Sequence, residues 1–148
     1  MKIAVGADHK GFELKESIIA LLKEFGHEVI DEGTDSEDSV DYPDYGLKVA
    51  HDVSGGKADR GITICWTGNG MNMAVNKVKG IRAGMALNPE MAYLTRLHND
   101  ANVLTLASKF TRRSDLRETL TKFLDTKFEG GRHISRIKKV MEAESETC

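Results

Sequence analysis

Cys65 ends a short apolar run, Gly61-Ile62-Thr63-Ile64-Cys65, and Trp66-Thr67-Gly68-Asn69-Gly70-Met71 follows at once. A β-prone run that stops at a thiol, then a glycine-rich loop, then a helix from Met71 to Val78, puts the sulfur at the C-terminal end of a strand. Backbone N–H groups at a helix N-terminus then face it, where an anion or a developing oxyanion is held. The same field favours a thiolate. Three other groups could do chemistry: Asp8-His9, His98-Asn99, and Arg132, His133 and Arg136. The two arginines are four apart, hence on one helix face, and with His133 could clamp a phosphate. Each group also has a plainer reading. These are an inert buried thiol, an Asx-type turn after a strand, an imidazole bonding a helix-end carbonyl, and a solvated basic helix end.

Other uses of such a loop fail on residue identity. A Cys-x5-Arg phosphatase needs arginine where Met71 stands, and a nucleotide P-loop needs a Gly-Lys-Ser/Thr ending. Gly68-Asn69-Gly70 is only part of a dinucleotide fingerprint, because residue 73 is methionine. No nicotinamide, flavin or other cofactor and no metal is expected.

The elements that must position these groups alternate. Lys2 to Gly6 reads as a strand, and Phe12 to Phe25 as an amphipathic helix with Leu14, Ile18, Leu21, Leu22 and Phe25 on one stripe. His27 to Asp31 is a second strand. An acidic loop leads to Asp41-Tyr42-Pro43-Asp44, where Pro43 opens a helix running towards Ser54. Gly61 to Cys65 is the third strand and Ile81 to Leu87 the fourth. Asn88-Pro89 caps a helix ending near His98, and Asn102 to Leu106 is the fifth strand. Ser114 to Leu124 and Ile134 to Ala143 complete the chain as helices, either side of Gly130-Gly131. Five short apolar strands alternating with helices predict an α/β, Rossmann-like three-layer sandwich: a parallel sheet with helices on both faces. Right-handed crossovers then gather Asp8-His9, Cys65 to Gly70 and Leu87 to Pro89 on one edge, while His98-Asn99 needs separate positioning. The last helix has no following strand and is expected to pack on a partner subunit.

The length of 148 residues suits a single domain, 1–148, and 21 basic against 23 acidic side chains leave a net charge of −2. That balance argues against a nucleic-acid binder or a membrane-surface protein, and the basic segment from Arg112 to Lys139 reads as solvated helix faces. The two cysteines, Cys65 and Cys148, do not make a disulfide framework. With no long apolar run and no signal-like N-terminus, a soluble cytoplasmic protein is expected.

Several multi-residue stretches, in order along about residues 1 to 140, resemble the ribose-5-phosphate isomerase B family, which includes the galactose-6-phosphate isomerase subunits. They are Asp8-His9-x-Gly11-Phe12, Asp41-Tyr42-Pro43-Asp44, Cys65-x-Thr67-Gly68-x-Gly70-Met71, Gly80-Ile81-Arg82-Ala83, His98-Asn99-Asp100-Ala101-Asn102 and Gly130-Gly131-Arg132-His133-x-x-Arg136. The resemblance implies a metal-free aldose–ketose isomerase, a homodimer or dimer of dimers with sites shared between subunits. It makes Cys65 the base that moves a proton between C1 and C2 of an open-chain phosphosugar, with Thr67 assisting. The N–H groups from Trp66 through Gly68 and Asn69 to Gly70 would hold the enediolate oxygen. His98 would open the furanose ring, with Asp8 and Tyr42 near the sugar hydroxyls. His9, Asn99, Lys109, Arg132 and Arg136 would bind substrate, the arginines chiefly its phosphate.

Three positions bear on this expectation. Trp66 stands where the family commonly has glycine, and its indole either borders the pocket or enters an interface. Lys109 replaces a common arginine, exchanging a bidentate fork for a point charge. Met71 occupies the place of a glutamate base found in some members, leaving the thiol as the only base in this loop. Ribose 5-phosphate and ribulose 5-phosphate are the expected pair. The alternatives are a tetrose, allose or galactose phosphate, or a non-catalytic sugar-phosphate-binding module.

Overall fold

The computed structural model describes residues 1–145, and Cys148 lies outside them. Five strands form one all-parallel sheet: β1 (Lys2–Ala7), β2 (Glu28–Asp31), β3 (Arg60–Cys65), β4 (Ala83–Met85) and β5 (Val103–Ala107). Their order is β2-β1-β3-β5-β4. The helices are α1 (Phe12–Glu24), α2 (Tyr42–Ser54), α3 (Asn69–Val75), α4 (Pro89–Asn99), α5 (Leu116–Asp125) and α6 (His133–Glu142), with 3-10 turns at Arg113–Asp115 and Ala143–Ser145. Among the described residues, no helix is long and apolar enough to cross a membrane.

Because β1, β3 and β5 are buried on both faces, they need apolar side chains pointing both ways, and so read as continuous rather than alternating runs. On one face Ile3, Val5, Ile62, Ile64, Leu104 and Leu106 pack with Leu14, Ile18 and Leu22 of α1 and Leu120 and Phe123 of α5. On the other, Ala4 packs with Val49 of α2, and Val103 with Ala50 and Val75 of α2 and α3. These two cores are the expected three layers.

Several boundaries differ from the sequence reading, most by a single residue, and three of them have a clear local reason. His27 precedes β2 instead of starting it, because Gly26 at φ 84° turns the chain and the His27 N–H bonds the Leu22 carbonyl at 2.9 Å. The helix expected over Met71–Val78 runs Asn69–Val75. The Asn76 amide ends it by clipping both the N–H (2.9 Å) and C=O (3.0 Å) of Ala83. The fourth strand is only three residues long because Ile81 and Arg82 are taken up by a turn and by the Asn102 side chain.

Candidate active site

The strand order reverses direction between β1 and β3, and the crevice beyond their C-terminal ends is where such sheets bind ligands. Asp8 follows β1 and Cys65 closes β3. The Asp8 N–H bonds the Ile64 carbonyl at 3.2 Å, which fastens the two loops together. Oδ1 of Asp8 accepts the N–H groups of Lys10 and Gly11, both at 3.0 Å, so the Asx-type turn does form and holds a buried carboxylate in place. His9 accepts the Val40 N–H through Nδ1 at 3.1 Å, leaving Nε2 to carry the ring proton and donate outward.

The Cys65 side chain is 4% exposed. Backbone N–H groups of Met71, Gly68 and Thr67 all bear on its sulfur. They do not prevail. Burial pushes the thiol above its ordinary value, the Asp8 charge adds to the rise, and the three amides only oppose it. The expectation of a favoured thiolate is therefore corrected. The reason is geometric: α3 has seven residues and contributes local amides, not a long dipole, against strong desolvation. Asp8 is displaced the same way, its carboxyl raised by burial against the Gly11 N–H, the His9 and Lys10 charges and the Lys10 N–H.

The rest of this edge is built tightly. Gly68 turns the loop at φ 82°. A β-carbon at Gly70 would stand 2.5 Å from Cζ and 2.7 Å from the hydroxyl of Tyr42, so the phenol lies directly over the loop that carries Thr67 and Asn69. Trp66 is 45% exposed, with Lys10 Nζ and Lys109 Nζ at 5.5 and 5.4 Å from its ring centroid. The Lys109 N–H bonds the Trp66 carbonyl at 3.0 Å. Asp8, His9, Tyr42, Cys65 to Gly70 and Lys109 thus share one edge. Lys10 was not singled out from the sequence, since a lone lysine carries no signal of its neighbour.

His98, Asn99, Arg132 and Arg136 are elsewhere. A helix following a parallel strand runs back along it, so α4 ends at the opposite, N-terminal edge of the sheet. The Asn99 carbonyl accepts from Nε of Arg82, the residue just before β4, at 3.2 Å. The turn is locked there: Asp100 at φ 47° takes Arg82 Nη2 at 3.0 Å and Arg96 Nη1 at 2.8 Å. Arg136 of α6 joins His98 and Asn99 around a cleft of about 250 Å³, and Arg132 precedes that helix. His133 is buried and stacks on His98 with centroids 4.5 Å apart and planes at 19°. Glu129, unrecognised from sequence, reaches within 3.2 Å of His133 Nε2, and the i, i+4 spacing was its available signal.

An eleven-residue helix such as α4 rises roughly 16 Å, which carries His98 that far from the edge where the helix starts. Residues 3–140 match the model of the Ribose/Galactose Isomerase family. Ribose-5-phosphate isomerase B of Escherichia coli (strain K12) is 46% identical over 139 residues, 94% of this chain and 93% of that protein. Among solved structures, a ribose-5-phosphate isomerase B of Clostridium thermocellum superposes with a TM-score of 0.98 at 47% identity, covering 100% of both chains. The Mycoplasma genitalium ribose-5-phosphate isomerase B with bound ribulose-5-phosphate gives 0.93 at 41% identity, covering 99% of this chain and 97% of that one. The chain belongs to the Ribose/Galactose Isomerase family and is an aldose–ketose isomerase.

Proposed function

We propose that the protein interconverts ribose 5-phosphate and ribulose 5-phosphate, as a single cytoplasmic domain acting in a homodimer or dimer of dimers. The observation that carries this reading is the thiol of Cys65 set beside Asp8 and beneath the amides of Thr67, Gly68 and Met71, at the sheet's ligand-binding crevice.

The chemistry follows from that arrangement. Ring opening comes first, and His98 of the partner subunit moves the proton between the ring oxygen and the anomeric hydroxyl. Cys65, as thiolate, then takes the C2 proton of the open-chain aldehyde, and the carbonyl pair becomes a cis-enediolate. Thr67 and the loop N–H groups receive the oxygen's charge, each donor contributing roughly 3–4 kcal/mol. Returning the proton to C1, while the hydroxyl proton of O2 passes to O1, gives the 2-ketose. The hydride-equivalent shift stays within the sugar, so no redox cofactor takes part. A raised thiol pKa makes Cys65 the stronger base once ionised, at the expense of the ionised fraction. Tyr42 and His9 address the sugar from the same edge. Asn99, Arg132 and Arg136 of the partner subunit hold the phosphate, with Lys109 adding charge. Anchoring so far from the reacting carbons keeps the flexible chain in a reactive pose.

A panel of tetrose, ribose, allose and galactose phosphates, read by exchange of the C2 proton with deuterated solvent, tests the substrate. Ribose 5-phosphate should exchange fastest. Faster exchange on a four- or six-carbon sugar reassigns the substrate, and binding without exchange on any of them refutes the reading.

A further inference from the structure

His98, Glu129 and His133 form a cluster that the isomerase chemistry leaves largely unexplained. Their donor atoms all lie within 4.8 Å of one another. His133 is 6% exposed, and its Nε2 has no hydrogen-bond partner, although the Glu129 carboxylate stands only 3.2 Å away. A buried ring nitrogen beside a carboxylate, yet out of line for a hydrogen bond, has the arrangement of two ligands aimed at a third body. Zinc–ligand bonds of about 2.0–2.1 Å give tetrahedral ligand-to-ligand edges of about 3.3 Å. The His133–Glu129 pair already has that spacing.

The scaffold is fixed. The Glu129 N–H bonds the carbonyl of Leu97, immediately before His98, at 3.0 Å. Gly130 and Gly131, at φ 73° and 55°, fold the chain so that His133 returns over the same spot. The His98 ring is stacked on His133 and only partly buried, so it must leave that stack to bring a nitrogen in line with the pair, and the metal site therefore requires the stack to open. A fourth position opens to the cleft lined by Asn99 and Arg136. Two imidazoles, one carboxylate and an open position suit zinc and its neighbours, not calcium or magnesium. Arg132 and Arg136 oppose a cation there, which argues for reversible binding instead of a resident ion.

We infer that His98, Glu129 and His133 bind a divalent transition metal such as Zn²⁺, and that the bound metal inhibits the enzyme by occupying His98. The inhibitory half rests on the ring-opening role proposed for His98. The metal site itself does not.

The test uses the full chain, freed of metal by a chelator and titrated with Co²⁺ in place of Zn²⁺. One equivalent per chain should give the intense visible bands of tetrahedral cobalt, bleached by Zn²⁺. Glu129→Gln, at an exposed position, and His133→Asn should each weaken binding by about tenfold or more, with circular dichroism unchanged. Zn²⁺ should slow isomerisation of the wild type reversibly, with the chelator restoring it, and slow Glu129→Gln much less. Absence of bound cobalt, equal affinity in both variants, or a thiolate-to-cobalt charge-transfer band from Cys65 would overturn the site. A chain that binds cobalt but turns over no phosphosugar supports the site and sinks the isomerase reading. A chain that isomerises but binds no cobalt does the reverse.

Discussion

The Cys65 sulfur sits where three amides converge, and burial still leaves it harder to ionise than a free thiol. A base with a raised pKa is mostly protonated at neutrality, so kcat/KM should climb with pH through the neutral and mildly alkaline range. A profile already flat at neutral pH would show that a more acidic group is the base. Cys65→Ala removes a small buried side chain and should keep the fold while lowering C2-proton exchange by about a hundred- to ten-thousand-fold, measured by NMR in deuterated buffer. Asp8 offers a second test at this scale. Its folded pKa lies above the ordinary 3.8. A raised carboxyl favours folding below its unfolded value, and that contribution is lost as pH rises through the folded one. At neutral pH the ionised carboxylate therefore costs stability. Asp8→Asn, which keeps an acceptor for the Lys10 and Gly11 amides, should melt higher than wild type at neutral pH, converge with it in acid, and turn over more slowly. An Asn variant that melts lower at neutral pH contradicts the burial argument.

At the scale of elements, the loop between β3 and α3 depends on glycine where the chain must pass φ > 0. Gly68→Ala should cost about 1–2 kcal/mol of stability and also slow catalysis, because the alanine β-carbon meets Met85 Sδ at 2.8 Å and displaces the amides over the thiol. Gly56, at φ 76° with open space around it, is the control: Gly56→Ala should lose similar stability with unchanged turnover, compared by thermal melts and initial rates. All six helices among the described residues, the parallel sheet and its loaded edge were legible in the sequence, because buried strands and amphipathic stripes are local patterns. The short β4 and early-ending α3 were not, since side chains set them through bonds the local pattern does not show: Asn76 pairs with Ala83, seven residues on, and Asn102 takes the Arg82 N–H from twenty residues away. The same limit hid the cluster around His98. Its stacking on His133 depends on a bond between Leu97 and Glu129, more than thirty residues apart. The thiol's raised pKa was hidden too, because desolvation is a property of the packed interior and not of the loop.

Seen as a whole molecule, one chain carries two groups of candidate site residues on opposite edges of its sheet. Cys65, the loop amides and Tyr42 lie at the strand C-termini, while His98, Asn99 and Arg136 surround a cleft at the strand N-termini. The last helix also presents Ile134 and Val140, 57% and 60% exposed, an apolar stripe that a second copy would cover. Both features support a site assembled from two subunits, and mixing two inactive proteins tests this most directly. Cys65→Ala and His98→Asn should each be inactive as homodimers. When their subunits are scrambled at equal concentrations, half the dimers are mixed, and each mixed dimer holds one site with both native groups. Activity should return to about one quarter of the wild-type value. No recovery in dimers shown to be mixed would mean that base and imidazole act within a single chain, contrary to this account.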